Sequence, residues 1–155
     1  LGAGLPFLLS RQIPAKYLPG VTIVRVFLHE ENRVAPMQLE DYLVGVVAAG
    51  MPAEFPPDAL KAQAVVARTY AVKSIGLSGT GVPLHAGADL CDDDSCCQAW
   101  LSRQELKKHW GTVDYYNNYY QVKSAVDETR GLVLAYQGEL TPDYRYIAEF
   151  LKRKE

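Results

Sequence analysis

Cysteine is scarce in this chain: there are three, Cys91, Cys96 and Cys97, all in one short segment. That excludes the disulfide framework of a small secreted scaffold and leaves metal binding or one local bridge as their use. Positive charge is not in excess either. The formal net charge is −2 and no dense basic block occurs, so nothing favours a nucleic acid partner. No apolar run reaches the length of a bilayer-spanning helix. Leu1-Gly2-Ala3-Gly4-Leu5-Pro6-Phe7-Leu8-Leu9 is apolar but far too short, and reads as the remnant of a signal-anchor or as an apolar N-terminal flap. Internal repeats and low-complexity tracts are absent. What is present is 155 residues, 48% of them hydrophobic, enough for one domain with a real core.

The organising stretch runs from Gln38 to Lys73 and reads as helix, interruption, helix. Leu39, Leu43, Val46 and Gly50 recur on one helical face, and Glu40 and Asp41 sit where a helix N-terminus favours negative charge. Gly50 followed by Pro52 is a stop signal, because glycine takes the left-handed conformation freely and proline lacks a backbone donor. In the second helix Leu60, Ala64, Ala67 and Ala71 form a narrow stripe of mostly small residues. Lys61 and Arg68 share one face beside it, and Gln63 and Tyr70 another. The helix is expected to be largely buried, so its cations need partners or a polar cleft, or else snorkel to the surface.

Three runs carry a resemblance: Glu40-Asp41-Tyr42-Leu43-Val44-Gly45-Val46-Val47-Ala48-Ala49, then Met51-Pro52-Ala53-Glu54-Phe55-Pro56, then Ala59-Leu60-Lys61-Ala62-Gln63-Ala64-Val65-Val66-Ala67-Arg68-Thr69-Tyr70-Ala71. Together they closely resemble the stage II sporulation protein D family, which includes amidase-enhancer relatives. The likeness continues more loosely through His85 to Trp100 and ends near Gly131-Leu132-Val133-Leu134-Ala135-Tyr136-Gln137-Gly138. It implies a lytic transglycosylase that cuts peptidoglycan glycan strands during engulfment, after a partner amidase has removed the stem peptides. It also implies an extracytoplasmic site at the outer face of the cytoplasmic membrane of a spore-forming bacterium. The family places its catalytic glutamate between the Ala-Ala and the Met-Pro. This chain has Gly50 there.

Such a reaction needs one carboxyl of raised pKa, which protonates the glycosidic oxygen and then, as carboxylate, takes a proton from the sugar hydroxyl that closes an anhydro ring. Gly50 supplies neither step, and loss of a general acid lowers a rate by about two to four orders of magnitude. Glu54 is the nearest substitute but lies across the Pro52 turn; Asp58 and Glu40 read as helix N-terminal charges. The resemblance places Lys61 and Arg68 as supporting residues of the catalytic position, and Gln63, Tyr70 and Glu54 as substrate-binding residues. With Gly50 in place, Arg68 needs Glu54 or Glu40 as its acidic partner. The chain is therefore read as an inactive or impaired member of the family, or as a non-catalytic glycan-binding or amidase-enhancing module.

Elsewhere, Val21 to Leu28 reads as a strand covered on both faces, His29-Glu30-Glu31-Asn32 as a solvated turn, and Arg33 to Met37 as a short second strand. Ser74 to Pro83, with three glycines, reads as a mobile loop. Leu84 to Gln98 collects His85, Asp89, Cys91, Asp92, Asp93, Asp94, Cys96 and Cys97. Thiolates with an imidazole suit Zn2+, and a carboxylate or water could complete a tetrahedron. The resemblance points to His85, Cys91 and Cys97, since some members hold zinc through a His and two Cys, the second directly before Gln. A Cys91–Cys97 disulfide is the alternative, with Cys96 a spare thiol able to replace Cys97; the acidic residues also fit a solvated turn.

Ser102-Arg103-Gln104-Glu105 is a capping box for a short helix to Trp110, which Gly111 ends. A further helix, roughly Asp114 to Thr129, carries Tyr115, Tyr116, Tyr119 and Tyr120, which could stack on sugars but at helical spacing more often pack a core. Leu132 to Tyr136 reads as a strand, Gln137-Gly138 as its turn, and the tail from Glu139 as an amphipathic helix unlike the family. The expected architecture is a single α+β domain, a small sheet packed against a buried helical pair, lacking part of the family's C-terminal portion. Residues 1–20 form a lead-in, 21–138 the family-like domain and 139–155 the tail. Membrane attachment would come only through an anchor not in this sequence.

Overall fold

The computed structural model describes residues 8–10, 22–75, 87–136 and 139–140. Among the described residues, nine elements follow in order: β1 (Leu8–Ser10), β2 (Ile23–Leu28), β3 (Arg33–Gln38), α1 (Leu39–Gly50), α2 (Pro57–Ile75), β4 (Leu90–Cys91), α3 (Arg103–Glu128), β5 (Val133–Tyr136) and β6 (Glu139–Leu140). They build the expected single α+β domain. One three-stranded sheet has the order β3-β2-β4, the other β1-β5-β6.

β2 and β3 form an antiparallel hairpin, closed where Asn32 takes a positive φ of 48° and its N–H donates to His29 O at 3.2 Å. β3 is an edge strand, which lets it carry Pro36 without losing a ladder bond. β2 alternates rather than being covered on both faces. Val24, Val26 and Leu28 are buried while Ile23 and Arg25 face solvent, because only one face of this sheet meets the helices. β4 joins β2 in parallel, Cys91 opposite Phe27.

α1 and α2 make the buried pair, and α3 packs on both. The small-residue stripe of α2 is fully inside, with Leu60, Ala64, Ala67 and Ala71 each at 1% exposure or less. α1 does not stop at a left-handed glycine. Gly50 is helical, and the helix ends at Met51, which is extended and donates its N–H to Val47 O at 3.0 Å. Backbone geometry therefore gives no reason for glycine at position 50.

Ser102 caps α3 as a capping box: its Oγ accepts from Glu105 N–H at 3.2 Å, and Glu105 Oε2 accepts from Ser102 N–H at 2.7 Å. Gly111 breaks the helical run as expected: at φ 76° and ψ 167° it is non-helical, and it separates two helical segments that follow one another as α3, the second running to Glu128. Glycine tolerates that break, and the helical pattern on either side is strong enough to continue. Tyr115 and Tyr119 pack on the core with Trp110, while Tyr116 and Tyr120 are exposed. β6 pairs antiparallel with β5, so the first two residues of the expected amphipathic tail are strand; 141–155 lie outside the described residues. The loop expected at 74–83 begins later, since α2 runs to Ile75, and from 76 it too falls outside them.

Candidate active site

The turn between α1 and α2 exposes one end of the helical pair. Ala53 is buried and pins the turn, while Gly50, Glu54 and Phe55 face solvent. A Cβ built on Gly50 would meet Gln63 Nε2 at 3.5 Å, an ordinary contact. Position 50 thus has room for a side chain, and the first group such a side chain meets is an amide able to hydrogen-bond it. Glu54 sits in the turn itself, beyond the end of α1.

Lys61 and Arg68, expected side by side, serve different places. Lys61 reaches out of α2 to Glu128 at the end of α3, Nζ to Oε2 at 2.6 Å, and that carboxylate pushes the lysine pKa up. Arg68 is fully buried, and each of its three guanidinium nitrogens has an acceptor. Nε and Nη2 donate to the two Glu40 oxygens at 3.0 and 2.8 Å. Nη1 donates to Leu132 O at 3.0 Å, and Nη2 also to Val126 O and Thr129 Oγ1 at 3.1 and 3.3 Å. One side chain therefore joins the start of α1, the middle of α2, the end of α3 and the approach to β5. The acidic partner it needs is Glu40, and any support it gives position 50 acts through how α1 lies on α2.

Tyr70 lies two turns beyond Gln63 on α2, about 10 Å along the axis, and belongs to a different neighbourhood. Its hydroxyl donates to Cys96 O at 3.5 Å, and burial, then the Cys97 thiol, pushes its pKa well up. Cys91, Cys96 and Cys97 bring their sulfurs within 4.8 Å of one another. Burial pushes the thiols of Cys91 and Cys96 up, most strongly at Cys91. Beside them Gln98 is buried and donates to Tyr42 Oη and Ala67 O, both at 3.4 Å, which ties the thiol turn to α1 and α2. His29, in its exposed turn, contacts Asp92 next door.

His85 lies outside the described residues. The thiols are of the type that suits zinc: tetrahedral thiolate ligands at about 2.3 Å from the ion stand about 3.8 Å apart, which Cys96 and Cys97 match, whereas Cys91 and Cys96 at 2.6 Å stand closer than two ligands of one ion. Cys91 lies within reach of the same centre.

With this geometry in view, comparison with known proteins is decisive for the family. Residues 28–136 match the SpoIID model, described as stage II sporulation protein. The chain belongs to the SpoIID family. It is 40% identical over 116 residues to stage II sporulation protein D of Bacillus subtilis (strain 168), and 39% identical over 116 residues to that of Bacillus amyloliquefaciens. Each match covers 75% of this chain and 33% of the relative. An uncharacterized protein of Brachyspira hyodysenteriae is 32% identical over 111 residues, 72% of this chain and 26% of that protein. The chain spans about a third of the length of the Bacillus relatives it matches. Among the described residues, no helix is long and apolar enough to cross a membrane.

The site residues that sequence reasoning left out are tertiary partners. Glu128, Tyr42 and Gln98 hold Lys61 and the thiol turn, yet each is distant in sequence from what it touches. Only Gln98 carried a signal, through its place directly after Cys97.

Proposed function

We propose that this SpoIID chain binds peptidoglycan glycan strands at the exposed α1–α2 junction and lacks the acid and base needed to cleave them. The observation that carries this reading is Gly50: solvent-exposed, helical without strain, and open toward the Gln63 amide. A glutamate there would stand at the end of α1 with Gln63 in hydrogen-bonding reach. It would protonate the glycosidic oxygen and then accept the proton of the hydroxyl that closes the anhydro ring. Without it, Gln63 and the exposed turn at Glu54 and Phe55 remain as glycan contacts, and Lys61 and Arg68 as supports of the helical pair.

Substrate strands are proposed to be stem-peptide-free, supplied by a cell-wall amidase, and encountered outside the cytoplasmic membrane during sporulation. Zinc held by Cys91 and Cys97, with His85, would be structural, closing the turn before Gln98. Metal analysis of reduced, purified chain tests it, with stoichiometric zinc expected. For the main proposal, the chain and its Gly50→Glu variant are incubated with stem-peptide-free glycan strands, and anhydro-muramic ends are sought by mass spectrometry. Product from the variant alone supports an acid-less enzyme fold. Binding by both without product from either favours the second reading, a glycan-binding or amidase-enhancing module.

A further inference from the structure

We propose that a cleft between α1 and α3 is a subsite for the acetamido group of an N-acetylhexosamine, with the Trp100 indole N–H as its hydrogen-bond donor. The inference rests on the glycan reading for its ligand class alone, since this cleft is not the α1–α2 junction. Gly45 and Gly50 are five residues apart on α1, about 140° around the helix and about 7.5 Å along it, so the two sites use different faces. The indole is the starting point. Trp100 Nε1 is, among the described residues, the one buried side-chain nitrogen or oxygen without a hydrogen-bond partner. A buried donor left unpaired costs more than an average hydrogen bond gains, and native chains keep few of them.

What fixes the indole is α1. Leu101 N–H donates to Gly45 O at 3.4 Å, which lays the Trp100 segment across the helix where a Cβ on Gly45 would meet Nε1 at 2.3 Å. Gly45 and Trp100 also wall a cleft of about 140 Å³. At ~30 Å³ per water that is room for several waters, and so for an acetamido group. Met37, Val44, Leu101 and Leu106 give the cleft an apolar surface that suits a methyl group. Asp41 and Arg103, both exposed, bring one charge of each sign to its lining. The cleft therefore has no net attraction for an ion, while the carboxylate accepts and the guanidinium donates hydrogen bonds to hydroxyls. Tyr119 is held in place as a further wall, stacked on Tyr115 at 5.6 Å and with the Arg103 guanidinium over its ring at 5.1 Å. A neutral ligand with a methyl-bearing carbonyl among hydroxyls matches every part. Its methyl meets the apolar wall, its carbonyl oxygen accepts from Trp100 Nε1–H, and its hydroxyls meet Asp41 and Arg103. An N-acetylhexosamine is such a ligand, whereas a plain hexose lacks the group that uses the indole.

The test is a titration of the full, nitrogen-15-labelled chain followed by proton–nitrogen correlation spectra. The sequence has two tryptophans and so two indole signals, of which Trp100→Phe identifies one. The probes are triacetylchitotriose, cellotriose, which lacks the acetamido groups, and N-acetylalanine N-methylamide, which carries one without a sugar. The expected result is a saturable downfield shift of the Trp100 indole proton with triacetylchitotriose alone, and none at Trp110. Trp100→Phe keeps a ring against Gly45 and removes the donor, and it weakens this binding about 2–10-fold, read at the Leu106 amide. In the same spectra the Gly50 backbone amide and the Gln63 side-chain amide report the α1–α2 junction. If they respond while the Trp100 indole stays still, the inference here fails and the junction reading stands; if the Trp100 indole responds and they do not, the reverse holds. An unmoved Trp100 indole, an equal response to cellotriose or to the acetylated alanine, or unchanged affinity in Trp100→Phe would each overturn the proposal.

Discussion

Two glycines of α1 make opposite demands. A Cβ on Gly45 would lie 2.3 Å from Trp100 Nε1 and 2.6 Å from Leu101 O, so the helix has glycine there because the Trp100 segment crosses it at contact. Gly45→Ala is expected to destabilise by about 1–3 kcal/mol through overpacking. Gly50→Ala adds its methyl where the nearest neighbour among the described residues is a flexible Gln63 amide at 3.5 Å. On a helical backbone, it is expected to be neutral or to stabilise by up to about 1 kcal/mol. Urea unfolding of both variants checks the contrast. Arg68→Met is a sharper case, because it strands the largely buried Glu40 carboxylate and takes the Arg68 donor from Leu132 O and Thr129 Oγ1, while Val126 O keeps the Thr129 N–H. Loss of about 3–5 kcal/mol is expected, read in the same unfolding assay.

At the scale of elements, α3 is the instructive case. Gly111 sits at φ 76°, ψ 167°, a region essentially reserved for glycine. Gly111→Ala should lower stability by about 1–3 kcal/mol, while far-UV circular dichroism stays helical, because both flanking segments keep their packing. The Ser102 capping box and the Gly111 break were legible in sequence because each signal spans a few residues. The α1–α2 pair was legible too, through its spacing of small apolar positions. Parallel pairing of β4 with β2 was not, since two residues of strand leave no periodic trace. Nor was the one-sided burial of β2: a run of β-branched and aromatic residues looks the same whether one face or both are covered. The separation of Lys61 from Arg68 was equally hidden. Seven residues place two side chains on one face, but only the neighbouring helices decide which of them is enclosed.

For the molecule as a whole, Tyr42 links stability to pH. It is fully buried, and burial raises its phenol pKa far above the usual value near 10, with the Gln98 amide pulling slightly the other way. The folded chain keeps this proton where the unfolded chain releases it. Stability is therefore intact below about pH 10 and falls as pH rises beyond that. Tyr70, raised in the same direction, adds to the effect. Thermal unfolding followed from pH 8 to 11 should show this decline, and Tyr42→Phe should make it shallower.

The central claim is that a SpoIID helical pair, held by Arg68 and Glu40, presents an accessible site lacking one carboxyl group. The family resemblance proposes a glutamate for position 50. What it could not say was whether the backbone required glycine, and the helical geometry at Gly50 and the open space beside Gln63 answer that. Rate comparison between the chain and Gly50→Glu on stem-peptide-free glycan strands, scored by anhydro-muramic ends, is the most direct measurement. The account predicts that Gly50→Glu releases such ends at about 10²–10⁴ times the rate of the unsubstituted chain. Equal release by both proteins, or cleavage by the unsubstituted chain that Glu54→Gln abolishes, would contradict it.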